Sequence, residues 1–223
     1  MKIIPHYFNS DLFFQFIKAS ELIMVYINLF IGIIYGSRSQ LFLSIIIICN
    51  SYLNNFLKHM IAVPIFANNN NSIPILGQGS RPSYAHDCGY FTSCPNEPAE
   101  SFGFPSGHSQ FAGLQTGFLI KELLYNKSKD GKFKSLKTKD KISIVLLALF
   151  VPIMMYSRVY IEKCHTIEQT IFGALIGLFL GYKSHDVYLY INKHYNNILN
   201  MDCPIKRTIT SIIFFYFTFN SNY

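Results

Sequence analysis

Gly103-Phe104-Pro105-Ser106-Gly107-His108-Ser109-Gln110-Phe111 opens a long apolar segment, and its reading together with Tyr156-Ser157-Arg158 and His165-Thr166 decides the fold. A turn of Pro, Ser and Gly at a helix start exposes the orphan N–H groups of the first turn, whose partial positive charge attracts an anion. Ser106, Gly107 and His108 occupy those positions. Arg158 and His165 stand at the ends of two further apolar segments. Two imidazoles and a guanidinium gathered on one side of a membrane suit a phosphate: one imidazole attacks phosphorus, the other protonates the leaving oxygen. Taken alone, the tetrapeptide is equally well a helix start with a capping serine and an incidental histidine.

The apolar segments set the fold class. Half of the 223 residues are hydrophobic, 16% are aromatic and only 14% are charged. That composition predicts one integral membrane domain over 1–223, an all-α multi-pass helical bundle with five or six spans. Spans are expected near 17–36, 41–66, 106–125, 142–157 and 165–185, with a short apolar stretch from Ile209 to Phe219 as a sixth. A bilayer is crossed by roughly 20 helical residues. The first run begins late and lacks a small-residue cleavage site, so it is expected to be a retained anchor.

Charge supplies the orientation. The net charge is +7, and eight lysines fall between Lys121 and Lys141 with Glu122, Asp130 and Asp140 among them. No aromatic platform is interleaved, so nucleic acid is not the expected partner. The positive-inside rule places this Lys-rich loop, about 126–141, in the cytoplasm. The segment from Ala67 to Phe104 carries Arg81 beside Asp87, Glu97 and Glu100 and is expected on the opposite face, as is Ser157 to His165. The five cysteines form no metal-ligand pattern, and no metal is expected; Cys88 and Cys94 are close enough in sequence to pair in a lumenal loop. Asn70-Asn71-Ser72 is a glycosylation sequon within a solvated asparagine tract, Asn68 to Asn71.

Three further patterns point toward the same face. Asn50, Asn54 and Lys58 recur at four-residue spacing and form a polar stripe on an apolar helix, with Lys58 either snorkelling to headgroups or contacting phosphate. Arg81-Pro82 offers a guanidinium suited to bidentate phosphate recognition. His165 and Gln169 share a helix face, so the Gln169 amide is expected to fix the imidazole tautomer. Gly173, Gly177 and Gly181 follow the spacing that lets helices approach closely. Ser37-Arg38 repeats the serine-arginine pair without a following histidine and reads as a cytoplasmic charge.

These motifs, spread over about Asn50 to Gly181, resemble the type-2 phosphatidic acid phosphatase superfamily, which also includes haloperoxidases. Within it, the stretch 103–111, Tyr156 to Tyr160, His165-Thr166 and Gln169 are similar to dolichyl-diphosphate phosphatases, a subgroup with Gln where other members carry Asp. The resemblance implies His165 as the nucleophile, His108 as the acid and Gln169 as the partner of His165. It implies that Lys58, Arg81, Ser106, Gly107 and Arg158 hold the phosphate oxygens, with no cofactor or metal. The Lys58 to Arg81 and Arg158 to His165 intervals are longer than in the family, so Glu162, Lys163 or Cys164 is expected in a bulge. The implied activity is removal of the terminal phosphate from a polyprenyl or dolichyl diphosphate at the non-cytoplasmic face, in the endoplasmic reticulum if the source is eukaryotic. Phosphatidic acid or another lipid monophosphate is the alternative substrate, and a non-catalytic protein that binds lipid headgroups is the alternative of another class.

Overall fold

The computed structural model describes residues 16–66, 73–85, 88, 102–128 and 135–194. Among them the chain forms helices joined by loops, with an isolated antiparallel bridge between Ile73 and Gly77. Helix α1 (Ser20–Tyr35) stops at Gly36, whose φ of 65° is the left-handed conformation that ends helices. Helix α2 (Arg38–Phe56) runs on through a π-helical turn, Leu57–Ala62, into Val63–Phe66. Helix α3 (Gly107–Ser128) starts inside the quoted stretch, and α5 (Ile167–His194) starts just after His165. Between them, α4 (Thr138–Tyr156) is capped by Asp140, whose carboxylate accepts the Lys137 N–H at 2.9 Å, and it ends in a second π-helical turn, Ser157–Ile161.

Helix α3 is central: every residue from His108 to Phe118 is buried. Its most extensive partner is α5. A Cβ added at Gly177 would overlap the Gln110 carbonyl, and one at Gly181 would overlap that of Leu114. The backbones therefore touch, as the small-residue spacing leads one to expect. On its other side α3 joins α1 and α2 in a core of Val25, Phe42, Leu43, Ile47, Phe111, Leu114 and Phe118.

The helices lie where the apolar runs predict them. Among the described residues two stretches, Arg38–Phe66 and Thr138–Ile161, are long and apolar enough to cross a membrane, and Ser20–Tyr35 is a shorter apolar helix. Exposed Ile142, Leu146, Leu149 and Ile153 on α4, with Leu175 and Phe179 on α5, turn large apolar side chains outward. The sixth stretch, 209–219, the asparagine tract and the sequon lie outside the described residues.

The predicted Cys88–Cys94 pairing is corrected. Cys88 is bonded to Cys164, 76 residues away in sequence, while Cys94 lies outside the described residues. The physical reason is tertiary: Arg158 Nη2 donates to the Cys88 carbonyl at 3.1 Å, and the Cys164 N–H donates to the Arg158 carbonyl at 3.0 Å. Arg158 thus draws both cysteines to one place.

Candidate phosphate site

The Pro105 to Gln110 turn is clamped from two sides. From α2, Asn54 Nδ2 donates to Gln110 Oε1 at 2.8 Å and to the Pro105 carbonyl at 3.3 Å, and Gln110 Nε2 donates to Asn50 Oδ1 at 2.8 Å. From α5, the Gln169 carbonyl accepts the Ser106 N–H at 3.0 Å. Hydrogen bonds from α2 and α5 converge on this turn, so the amide relay fixes where α3 begins. Ser106 is fully buried and accepts a hydrogen bond from Ser109 Oγ at 3.2 Å. It stands behind the turn, whereas Gly107 and His108 reach the cavity wall.

The Gln169 side chain determines how His165 is presented. Its Nε2 donates to the carbonyls of Gln78 and Ser80, both at 2.8 Å, so Oε1 must face the other way. There Oε1 lies 3.1 Å from His165 Nδ1 and accepts the Thr166 N–H at 3.3 Å. An amide oxygen only accepts, so Nδ1 carries the proton and Nε2 keeps its lone pair. Gly103 makes room for this amide, because a Cβ there would crowd both of its polar atoms.

Arg81 faces that lone pair. Its Nη1 lies 3.1 Å from His165 Nε2 and donates to the Cys164 carbonyl at 3.0 Å. Burial, followed by the nearby Arg158 charge, lowers the Arg81 guanidinium to about 10 while Glu162 opposes the shift. Its charge therefore persists throughout the neutral range.

Arg158 is fully buried and forms an ion pair with Glu162, which also accepts a hydrogen bond from Ser157 Oγ at 3.0 Å. The long Arg158 to His165 interval is taken up by the π-helical turn and by Lys163, whose φ is 54°. Glu168 packs against Gly77, leaving Gln169 as the partner of His165. His108 Nε2 lies 2.9 Å from the Lys18 carbonyl.

One cavity is lined by Lys58, Arg81, Gly107, His108, Arg158 and His165, together with Glu21, Asn50, Ser51, Asn54 and Cys88. The structure thus gathers both histidines and all three expected cations around one space, despite the long Lys58 to Arg81 interval. Sequence reasoning missed Glu21, Glu162 and the bridging role of Gln110. Gln110 stands two residues after His108, but its partners are on a distant helix. Among the described residues, no group of three or more His, Cys, Asp or Glu is arranged to hold a metal ion.

Residues 40–193 match the PAP2 superfamily. The chain belongs to the PAP2 superfamily. It is also similar to Dolichyldiphosphatase 1 of Dictyostelium discoideum, with 34% identity over 112 residues, 48% of this chain and 45% of that protein. The match thus spans less than half of that relative's length. No solved structure gives a significant match. The PAP2 match begins in α2 and ends in α5, so α1, which carries Glu21, lies before it.

Proposed function

We propose that this PAP2 chain is a multi-pass membrane lipid phosphatase that removes the terminal phosphate of a polyprenyl or dolichyl diphosphate through a phosphohistidine on His165. The observation that carries this reading is the His165 imidazole: Gln169 holds its Nδ1 proton, and its Nε2 lone pair faces a cavity walled by cations. Nε2 forms a bond to the terminal phosphorus as the bond from phosphorus to the bridging oxygen breaks, and His108 gives that oxygen a proton. With Nε2–H held by Lys18, the imidazolium carries its second proton on Nδ1. His108 then takes a proton from water as the water oxygen attacks phosphorus, the P–N bond breaks and phosphate leaves. Lys58, Arg81, Arg158 and the Gly107 amide at the α3 N-terminus stabilise the charge on the equatorial oxygens.

Chain direction supports a single reactive face. The ends of α2 and α4 and the starts of α3 and α5 carry the cavity residues, while the Lys127–Asp140 pair joins the opposite ends of α3 and α4 at 2.6 Å. In this reading the cavity opens to the non-cytoplasmic side and the Lys-rich loop to the cytoplasm, with five or six spans, in the endoplasmic reticulum of a eukaryote. The outward apolar side chains of α4 and α5 meet lipid, and the substrate headgroup stays at the interface.

Phosphate release from dolichyl diphosphate, phosphatidic acid and a soluble ester tests the assignment. The diphosphate is expected to react fastest. A preference for phosphatidic acid would move the reading to lipid monoesters, and no release from any substrate would overturn it. Gln169→Leu is expected to lower kcat by about 10²- to 10⁴-fold with little change in KM, because the imidazole loses its tautomer partner. Gln169→Glu keeps an acceptor for Nδ1 but sets its second oxygen against the Gln78 and Ser80 carbonyls, so its activity should fall between those of Gln169→Leu and the wild type. Steady-state kinetics on the two variants would check the difference.

A further inference from the structure

The cavity holds one carboxylate that the mechanism above does not use. Glu21 lies in the first turn of α1, is 6% exposed, and accepts a hydrogen bond from Ser51 Oγ of α2. It lines the same space as Lys58, Arg81, Arg158 and the two histidines. A carboxylate buried where an anion is to bind opposes that anion unless it acts on one of the cations.

The geometry selects which cation. Ser51 and Asn54 on α2 and Lys58 in the π-helical turn that continues it follow one another along the chain, and helical side chains lean toward the helix N-terminus. That lean carries the Lys58 stem back toward Asn54 and the Ser51 hydroxyl, where Glu21 is fixed. Glu21 and Lys58 both stand on the cavity wall. The histidines have other fixed partners, His165 in Gln169 and Arg81 and His108 in Lys18.

We propose that Glu21 is a positioning residue: its carboxylate, anchored by Ser51, draws the Lys58 ammonium into the cavity and holds it where a phosphoryl oxygen binds. This rests on the phosphate reading of the cavity. It also extends the site to α1, outside the residues that match the superfamily. Without an anchor the four-carbon stem of Lys58 is free to turn toward headgroups at the membrane surface.

The test uses the full chain in lipid nanodiscs, with Glu21→Gln, Glu21→Asp, Lys58→Ala and the Glu21→Gln/Lys58→Ala pair. Binding of orthophosphate and orthovanadate is read from protection against thermal unfolding, and kcat and KM from phosphate release. Glu21→Gln is expected to weaken binding of both anions, and to lower kcat/KM, by about 10-fold. Glu21→Asp should recover most of this, and in the Lys58→Ala background Glu21→Gln should change nothing further. Additive losses, or tighter anion binding in Glu21→Gln, would overturn the proposal. If coupling to Lys58 persists in anion binding but no histidine-dependent release occurs, the phosphatase reading fails and the positioning role stands. Wild-type protein that binds neither anion would overturn both.

Discussion

His165→Ala is expected to reduce phosphate release by about 10⁴-fold or more while the protein remains folded. The side chain touches the Gln169 amide and the Arg81 guanidinium, and both keep other partners when it is removed: Gln169 Nε2 still donates to Gln78 and Ser80, and Arg81 to Cys164. The loss should therefore fall on chemistry rather than on folding. Covalent capture gives an independent reading. Wild-type protein quenched during turnover of a phosphorus-labelled lipid should retain label through alkali and release it in acid, as expected of a phosphorus–nitrogen bond, and His165→Ala should retain none. Release by His165→Ala at a rate near that of wild type would remove the nucleophile from the mechanism.

Gly177→Val is expected to leave no correctly folded protein, a larger structural effect than any substitution in the cavity. The α3 and α5 backbones meet at this residue, and even a single methyl would overlap the Gln110 carbonyl. Relief requires the helices to separate. Because Gln110 also carries the bonds to Asn50 and Asn54, separation would pull the Ser106 to His108 turn away from α2. Overpacking of a tight contact ordinarily costs about 1–3 kcal/mol, and here the obstacle is backbone, which cannot rotate aside. Loss of the monodisperse species in size-exclusion chromatography, at unchanged synthesis, checks the expectation. A variant with wild-type thermal stability would show that the helices have slack.

Much of the site was legible because its residue types are chemically distinctive. Imidazoles and guanidiniums at the ends of apolar runs declare themselves, and the four-residue spacing of Asn50, Asn54 and Lys58 places them on one face before any fold is known. The interval from His165 to Gln169 is one helical turn, and the hydrogen bond between them follows from local geometry. Cys88 was harder: its nearest neighbour in sequence is Cys94, but its partner is Cys164, selected by the loops that Arg158 draws together. Glu21 was missed for a related reason. On an apolar helix start it reads as an acidic residue in the first turn, a common helix feature, and its place in the cavity depends on how α1 packs against α2.

The amino-acid sequence by itself determined the positions of the helices, the capacity of Gly173, Gly177 and Gly181 for a close helix contact and the inventory of groups suited to phosphate, because periodicity and residue chemistry act over one or two turns. Only the tertiary structure decided which groups meet. It set the Gln169 amide orientation through the Gln78 and Ser80 carbonyls, turned Ser106 behind the wall, paired Arg158 with Glu162 and placed Glu21 on the same cavity wall as Lys58. Those outcomes depend on distances between residues far apart in the chain, and such distances are set by how helices pack, not by the identity of either residue alone.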